Sequence, residues 1–330
     1  MKFSLRLNND HPVQTYVDLA KLAEAGGFDQ FWVSDDLFLR SAPVILSAVA
    51  VATKTIEIGT CIVNPYTLNP AEMAMMAATL DELSGGRFNL GLAAGAGDFM
   101  AWIGVEYKRP RTTTVETVQV IKKLLSGERA AFEGKALQWT DEAYMRFKPL
   151  RRVPVYIGAM SPKMLHDIGQ YADGGLPLLF PPEHYQNVMP HIQAGADAAG
   201  RSMDTIDVAA CIWVSISEDR QAAEDVLREK IAYYGHAMSP TILTQLGLTQ
   251  ADFEAIDRAV MQENDIEKGK ALVTEQMLKI GIYGTAQDVI MRVEKLIEMG
   301  ATHISFGPPL GPDVADAIQT LSQDVLPYFR

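Results

Sequence analysis

A (β/α)8 barrel is the fold class this sequence predicts, and two observations predict it. Strand-like and helix-like segments alternate along the chain, which implies parallel strands covered by helices. Counting them gives eight strands, most followed by a helix, and eight such units close into a barrel without exposed edges. A doubly wound open sheet is the structural competitor on this pattern. The chain has 330 residues. Such a length suggests about two domains, but α/β barrels run to about 250 residues or more as one. With no low-complexity or Pro-rich linker to divide it, 1–330 is read as a single barrel domain with insertions.

The elements follow in order. Lys2–Leu7 reads as the first strand. Val13–Ala25 is an amphipathic helix stopped by Gly26-Gly27, where glycine suits a helix end. Residues 31–33 form a short apolar strand that runs into Ser34-Asp35-Asp36. Residues 43–53 are a helix with proline near its start, where the missing N–H costs least. Residues 56–60 are the third strand, 70–83 an Ala/Met-rich helix, and 87–92 the fourth strand. Met73, Met75 and Met76 are assigned to the core. Residues 95–111 read as a long loop, 112–125 as a helix and 130–148 as irregular β structure. Strands at 153–157, 174–179 and 206–216 then alternate with helices at Pro162–Tyr171, 183–199 and 218–233. Residues 239–280 read as a helical insertion, 285–299 as a helix, 303–306 as the eighth strand and 313–326 as a closing helix.

Composition excludes several functions. A net charge of −12 argues against nucleic acid or an anionic membrane as partner, since both need a basic face. A local basic pocket for a phosphate stays open. Cys61 and Cys211 are the only cysteines and form no CxxC pair, so neither a disulfide framework nor a zinc site is indicated. The six histidines show no metal spacing, and HExxH, nucleophile-elbow and P-loop motifs are absent. The first residues lack the apolar run of a signal peptide, and no stretch approaches the ~20 apolar residues of a membrane helix. The cytoplasm is the expected location.

In a barrel, chemistry belongs at the C-terminal ends of the strands. Gly158-Ala159-Met160-Ser161-Pro162-Lys163 follows a strand and opens a helix. Ser161 can cap that helix with Pro162 at its first position. Free N–H groups and the helix dipole there favour an anion, and Lys163 adds charge; an ordinary capped βα turn explains the same residues. Cys61-Ile62-Val63-Asn64-Pro65-Tyr66-Thr67 follows strand three and is either the floor beneath a flat ring or a proline-containing loop. Gly95-Ala96-Gly97 begins a partial dinucleotide fingerprint, but Met100 stands where the third glycine belongs, so the Rossmann reading is rejected. A glycine loop still admits close backbone approach to a ligand. Asp35 and Asp36 end strand two. They are candidates for acid–base work if one pKa is raised, against a helix cap or a solvated loop. Strand alternation predicts that the two side chains diverge.

Taken in order, five blocks resemble one family: Trp32-Val33-Ser34-Asp35-Asp36; Asn64-Pro65-Tyr66-Thr67; Leu83-Ser84-Gly85-Gly86-Arg87 with the preceding Thr79-Leu80-Asp81-Glu82; Gly158 to Leu165; and Phe306-Gly307-Pro308-Pro309. The sequence is similar to the luciferase-like superfamily, and within it to coenzyme F420-dependent 5,10-methylenetetrahydromethanopterin reductase. The resemblance spans the whole chain and is weakest over 130–150 and 230–280. It implies a luciferase-like barrel, usually homodimeric, with a non-prolyl cis peptide at Cys61–Ile62 that supports the cofactor ring through Ile62, Val63 and Asn64. It places the phosphate contacts at Gly158, Ala159, Met160, Ser161 and Lys163, Asp35 near the ring, and Gly95, Gly97 and Asp98 between cofactor and substrate. Three positions depart from the family. Arg6 stands for an acid in strand one, Asp36 for a histidine, and Ala96 for an acid, with Asp98 two residues on.

Three functions compete. The first is an F420-dependent hydride transfer to a small organic substrate or to a one-carbon unit on a pterin or folate, with Asp35, Asp36, Arg6 and Asp98 near the reaction. The second is an FMN-dependent monooxygenase on the same barrel. The third is a non-catalytic flavin-binding member.

Overall fold

The first strand of the computed structural model, β1 (Lys2–Leu7), shows the alternation that builds the sheet. Phe3 and Leu5 are buried on one side, and Ser4 and Arg6 are buried on the other. The structure describes residues 1–235, 238 and 240–330. The remaining strands are β2 (Gln30–Val33), β3 (Glu57–Thr60), β4 (Phe88–Leu92), a hairpin of β5 (Phe132–Glu133) and β6 (Gln138–Trp139), then β7 (Val155–Ala159), β8 (Gly174–Pro177), β9 (Asp207–Ile216), β10 (Ile282–Gly284) and β11 (His303–Leu310). The large sheet runs β10-β9-β11-β1-β2-β3-β4-β7-β8, and β8 also pairs with β9. That last pairing joins eight strands into a ring, so the fold is a (β/α)8 barrel and the open-sheet alternative is excluded. The paired strands β1 to β4 and β7 to β9 run parallel.

Contacts divide the chain into two compact units: Ser4–Pro177 with Asn187–Ala209, and Met1–Phe3 with Leu178–Gln186 and Ala210–Arg330. In the first unit lie helices α1 (Val13–Ala25), α2 (Ala42–Ala52), α3 (Pro70–Ser84), α4 (Gly97–Trp102), α5 (Pro110–Leu125) and α6 (Pro162–Tyr171). Local chemistry sets the ends of α3. Asn69 accepts the Ala71 N–H, Pro70 opens the helix, and Gly85 stops it at φ 70°, a conformation that costs glycine little. The Leu-Ser-Gly-Gly-Arg block proves architectural. The Arg87 guanidinium donates to the carbonyls of Ala50, Thr53, Ile56 and Ser84, tying the ends of α2 and α3 to the strands beside them.

Inside this unit, polar side chains satisfy one another. Glu57 accepts from Gln30 Nε2 and Asn89 Nδ2, both at 2.8 Å. Trp32 donates to Gln30 Oε1 and packs edge-on against Tyr156 at 5.1 Å, while Tyr156 donates to Asp207. Gly59 makes room for the indole: a Cβ there meets Trp32 at 2.3 Å.

Helix α7 (Tyr185–Ala198) has its first two residues in the second unit and the rest in the first. The second unit carries α8 (Arg220–Tyr234), the short helices α9 (Pro240–Gln245), α10 (Glu254–Asp257), α11 (Ile266–Leu272) and α12 (Glu275–Leu278), and finally α13 (Ala286–Glu298) and α14 (Val314–Thr320). Phe180, Trp213, Leu227, Ile231, Leu243, Phe253 and Ile256 share one apolar cluster, which gives the inserted segment its own core. Ser239, at the start of the segment assigned to 239–280, lies outside the described residues.

Four expectations are corrected. Residues 95–111 are not all loop, since α4 lies within them. Met75 is exposed on α3 while Met73 is fully buried, because two residues along a helix turn about 200° away. The strand β10 was not expected; it is three residues long, too short to show a period. The closing helix is shorter than 313–326, because α14 ends at Thr320 and passes into a π turn at Leu321–Val325. Among the described residues, no helix is long and apolar enough to cross a membrane.

Candidate active site

Three turns in the first unit converge on one recess. The first turn follows β2 and is held by Asn9, a fully buried residue just past β1. Its Nδ2 donates to the carbonyls of Asp36 at 3.0 Å and Arg40 at 2.6 Å. Its Oδ1 accepts from Ser34 Oγ at 3.2 Å and from the Asp36 N–H at 3.3 Å. Because β2 ends at Val33, Asp35 and Asp36 have left the strand and its alternation. Both residues line the recess, although their carboxylates take different partners. Asp35 Oδ1 accepts the N–H of Ala42 at 2.9 Å, and Asp36 Oδ2 accepts from Ser34 Oγ at 3.4 Å. Burial raises the Asp35 pKa above the ordinary carboxylate value, and the Ala42 bond partly opposes that shift.

The second turn follows β3. The Cys61–Ile62 peptide is cis, where the family resemblance places it. Val63 sits beneath this bulge, fully buried, with its N–H donating to Gly91 and its carbonyl accepting from Ala93. Its side chain therefore supports the bulge from below and offers no surface to a ligand. Asn64 Oδ1 accepts the N–H groups of Tyr66 and Thr67, which closes a tight turn. The third turn, at Gly95, packs onto that one. Gly95 has φ 75°, and a Cβ there meets the Asn64 side chain at 3.2 Å. Tyr107 holds the loop from behind: its hydroxyl donates to the Gly95 carbonyl at 3.0 Å, and its ring packs at a tilt against Tyr66, 4.8 Å between centroids.

Together these turns enclose about 90 Å³, bounded by Asp35, Asp36, Leu37, Cys61, Ile62, Asn64, Gly95, Ala96, Phe99 and Met100. Of the residues singled out in the sequence, Asp35, Asp36, Cys61, Ile62, Asn64 and Gly95 meet here. Arg6 is buried in β1 opposite Trp32 and is not in the wall. Nor is Asp98, exposed in the first turn of α4, nor Gly97, whose Cβ position faces the Tyr107 ring. The sequence reading missed Asn9, Leu37, Phe99, Met100 and Tyr107. Their roles arise from contacts between turns far apart in the chain, and no local motif marks them.

Gly158 lies directly against the bulge, since a Cβ there meets Ile62 Cγ2 at 3.1 Å and the Ala93 Cβ at 3.3 Å. Next to it, Ser161 caps α6 by accepting the Met164 N–H, and Met160, Ser161 and Lys163 are exposed. Bulge and helix start therefore form one continuous surface. The bulge end suits a planar ring and the helix end an anion. Ala159 is buried in β7 and reaches such an anion only through its backbone.

A parallel barrel with these features is the scaffold of a cofactor-dependent oxidoreductase. The family model of luciferase-like monooxygenases matches residues 1–303. The 5,10-methylenetetrahydromethanopterin reductase of Archaeoglobus fulgidus is 33% identical over 100% of both chains. That of Methanolobus tindarius is 32% identical over 99% of this chain and 100% of its own. The solved structure of the coenzyme F420 dependent tetrahydromethanopterin reductase from Methanopyrus kandleri superposes with a TM-score of 0.93 at 30% identity, covering 100% of this chain and 99% of that one. The chain belongs to the luciferase-like family, in the branch of the methylenetetrahydromethanopterin reductases.

Proposed function

We propose that this protein is a coenzyme F420-dependent oxidoreductase that transfers a hydride between the deazaflavin and a one-carbon unit on a pterin or folate carrier. The observation that carries this reading is the recess itself, whose wall brings together the half-buried Asp35 and the Cys61–Ile62 bulge. Bound coenzyme F420 supplies the hydride chemistry. The chain's residues orient and protonate. In this reading, Cys61, Ile62 and Asn64 support the ring, with Val63 bracing them from below. Gly158, Ala159, Met160, Ser161 and Lys163 hold the phosphate. Gly95 lets the backbone approach closely, and Gly97 makes room for the Tyr107 ring behind it. Asp35, which burial keeps protonated to higher pH, donates the proton that accompanies the hydride, and Asp36 accepts a hydrogen bond from the substrate. Arg6 sets the charge beneath the site, and Asp98 acts from the rim.

The test is a fluorescence titration of the purified protein with F420 and, separately, with FMN. Tight F420 binding and weak FMN binding are the expected result. The reverse order sinks the reading in favour of flavin monooxygenation, and binding of neither leaves a non-catalytic protein. The solved monooxygenase RslO1 from Streptomyces bottropensis shares the fold, with a TM-score of 0.69 at 20% identity.

We further place the protein in the cytoplasm as a homodimer. Supporting that, the outer faces of α2 and α3 expose Val44, Val51, Met75 and Leu83. Sedimentation at a mass of twice 36.2 kDa is the expected result.

A further inference from the structure

Beside the recess stands a group of aromatic side chains to which the reading above gives no role. Phe38 is 72% exposed and Trp102 is 66% exposed. Their ring centroids lie 6.3 Å apart, and Phe99 packs on Trp102 at 4.8 Å. Two separate turns deliver them. Phe99 and Trp102 are three residues apart on α4, a spacing that puts them on one helix face. Phe38 comes from the turn after β2 with φ 66°, a conformation unusual for an aromatic residue. That conformation is built in, because buried Asn9 grips the carbonyls on both sides of it, at Asp36 and Arg40. Contiguous exposed aromatic side chains of this kind mark binding surfaces.

The recess explains what the cluster is for. At about 90 Å³, it is far smaller than the roughly 300–1,000 Å³ that encloses a typical organic ligand. A larger substrate must lie outside it, and the aromatic rim is continuous with it, since Leu37 and Phe99 belong to the recess wall.

We infer that Phe38, Phe99 and Trp102 form a stacking subsite for the planar pyrimidinone half of the substrate's reduced pterin. The inference rests on the proposed carrier substrate and adds where its ring is held. Indole and phenyl faces offer stacking surfaces to such a planar ring.

The experiment uses the full chain. Wild type, Trp102→Ala, Phe38→Gly and Trp102→Phe are titrated anaerobically with tetrahydromethanopterin and tetrahydrofolate by calorimetry, and with F420 by fluorescence. Sedimentation of each protein runs alongside. The expected result is pterin binding by wild type that weakens about tenfold in Trp102→Ala and in Phe38→Gly. Trp102→Phe is expected to retain most of it, with F420 affinity and oligomeric state unchanged throughout. Unchanged pterin affinity in Trp102→Ala and Phe38→Gly overturns the subsite and leaves the carrier reading standing. A parallel fall in F420 affinity makes the rim part of the cofactor site instead. Dissociation of the variants into monomers makes it a contact between copies of the chain. Wild type that binds F420 and neither pterin refutes the carrier reading and the subsite with it.

Discussion

Replacing Asn9 with alanine removes four hydrogen bonds from a residue with no exposed surface. Each is worth about 0.5–1.5 kcal/mol net, and the orphaned partners gain no substitute unless water enters. The loss is therefore about 3 kcal/mol. For a chain of 330 residues, an unfolding entropy of about 2.1 cal/mol/K per residue turns this into a Tm lower by about 4 °C. The turn that carries Asp35, Asp36 and Phe38 loses its anchor, and a displacement of about 1 Å in reacting groups costs on the order of 100-fold in rate. Differential scanning calorimetry reads the first effect, and single-turnover hydride transfer from reduced F420 reads the second. Asn9→Asp is the informative companion. It keeps both acceptor bonds but turns a carboxylate toward two carbonyls, so it is expected to be destabilised most above the carboxylate pKa and to recover on acidification. An Asn9→Ala protein with wild-type Tm and turnover would refute the claim that this residue holds the site.

Other outcomes follow from the same geometry. Burial lifts the Asp35 carboxyl above its ordinary 3.8, so the folded state holds that proton more tightly than the unfolded chain. The stability this contributes is complete below 3.8 and is lost as pH rises through the raised value; Asp35→Asn is thus expected to gain on wild type across that window in urea melts. Turnover of wild type should fall on the alkaline side as Asp35 deprotonates, and Asp35→Asn should be slow with no such limb. Lys163→Ala is expected to weaken F420 binding by about fivefold at low salt and by less at high salt, since an exposed charge is screened; equal losses at both salts would argue against a phosphate contact. Arg111 makes a two-point ion pair with the fully buried Asp167, at 2.6 and 2.8 Å. Arg111→Met is expected to destabilise by about 2 kcal/mol, reduced from the usual 3–5 for a broken buried pair because the arginine is half exposed, as read from the urea midpoint.

The barrel was legible because its signals are local. The alternation in Lys2–Leu7, the cap and stop around α3, and Ser161-Pro162 at the start of α6 each reflect interactions within a few residues. Those signals fade with length. The helix α4 has six residues and the strand β10 has three, and neither spans enough turns or alternations to show a period. The acid pair after β2 was recognised, but strand alternation could not place it, since the strand stops before Asp35.

The candidate site was legible only in part, and for a physical reason. Residue types marked Asp35, Asp36, the Cys61–Asn64 turn, the glycine loop and the Gly158–Lys163 segment, because acids, glycines and capping residues carry their chemistry wherever they stand. Asn9 looked like one more polar residue after a strand. Its importance lies in partners 27 and 31 positions away, and only pairing of β1 with β2 brings them together. Phe99, Trp102 and Phe38 likewise became a surface when two turns met. The sequence by itself determined the parallel βα units and the chemical types available at their ends, through short-range preferences of backbone and side chain. Ring closure of the sheet decided which of those ends face one another, because contacts between distant turns depend on strand order and register rather than on any local pattern.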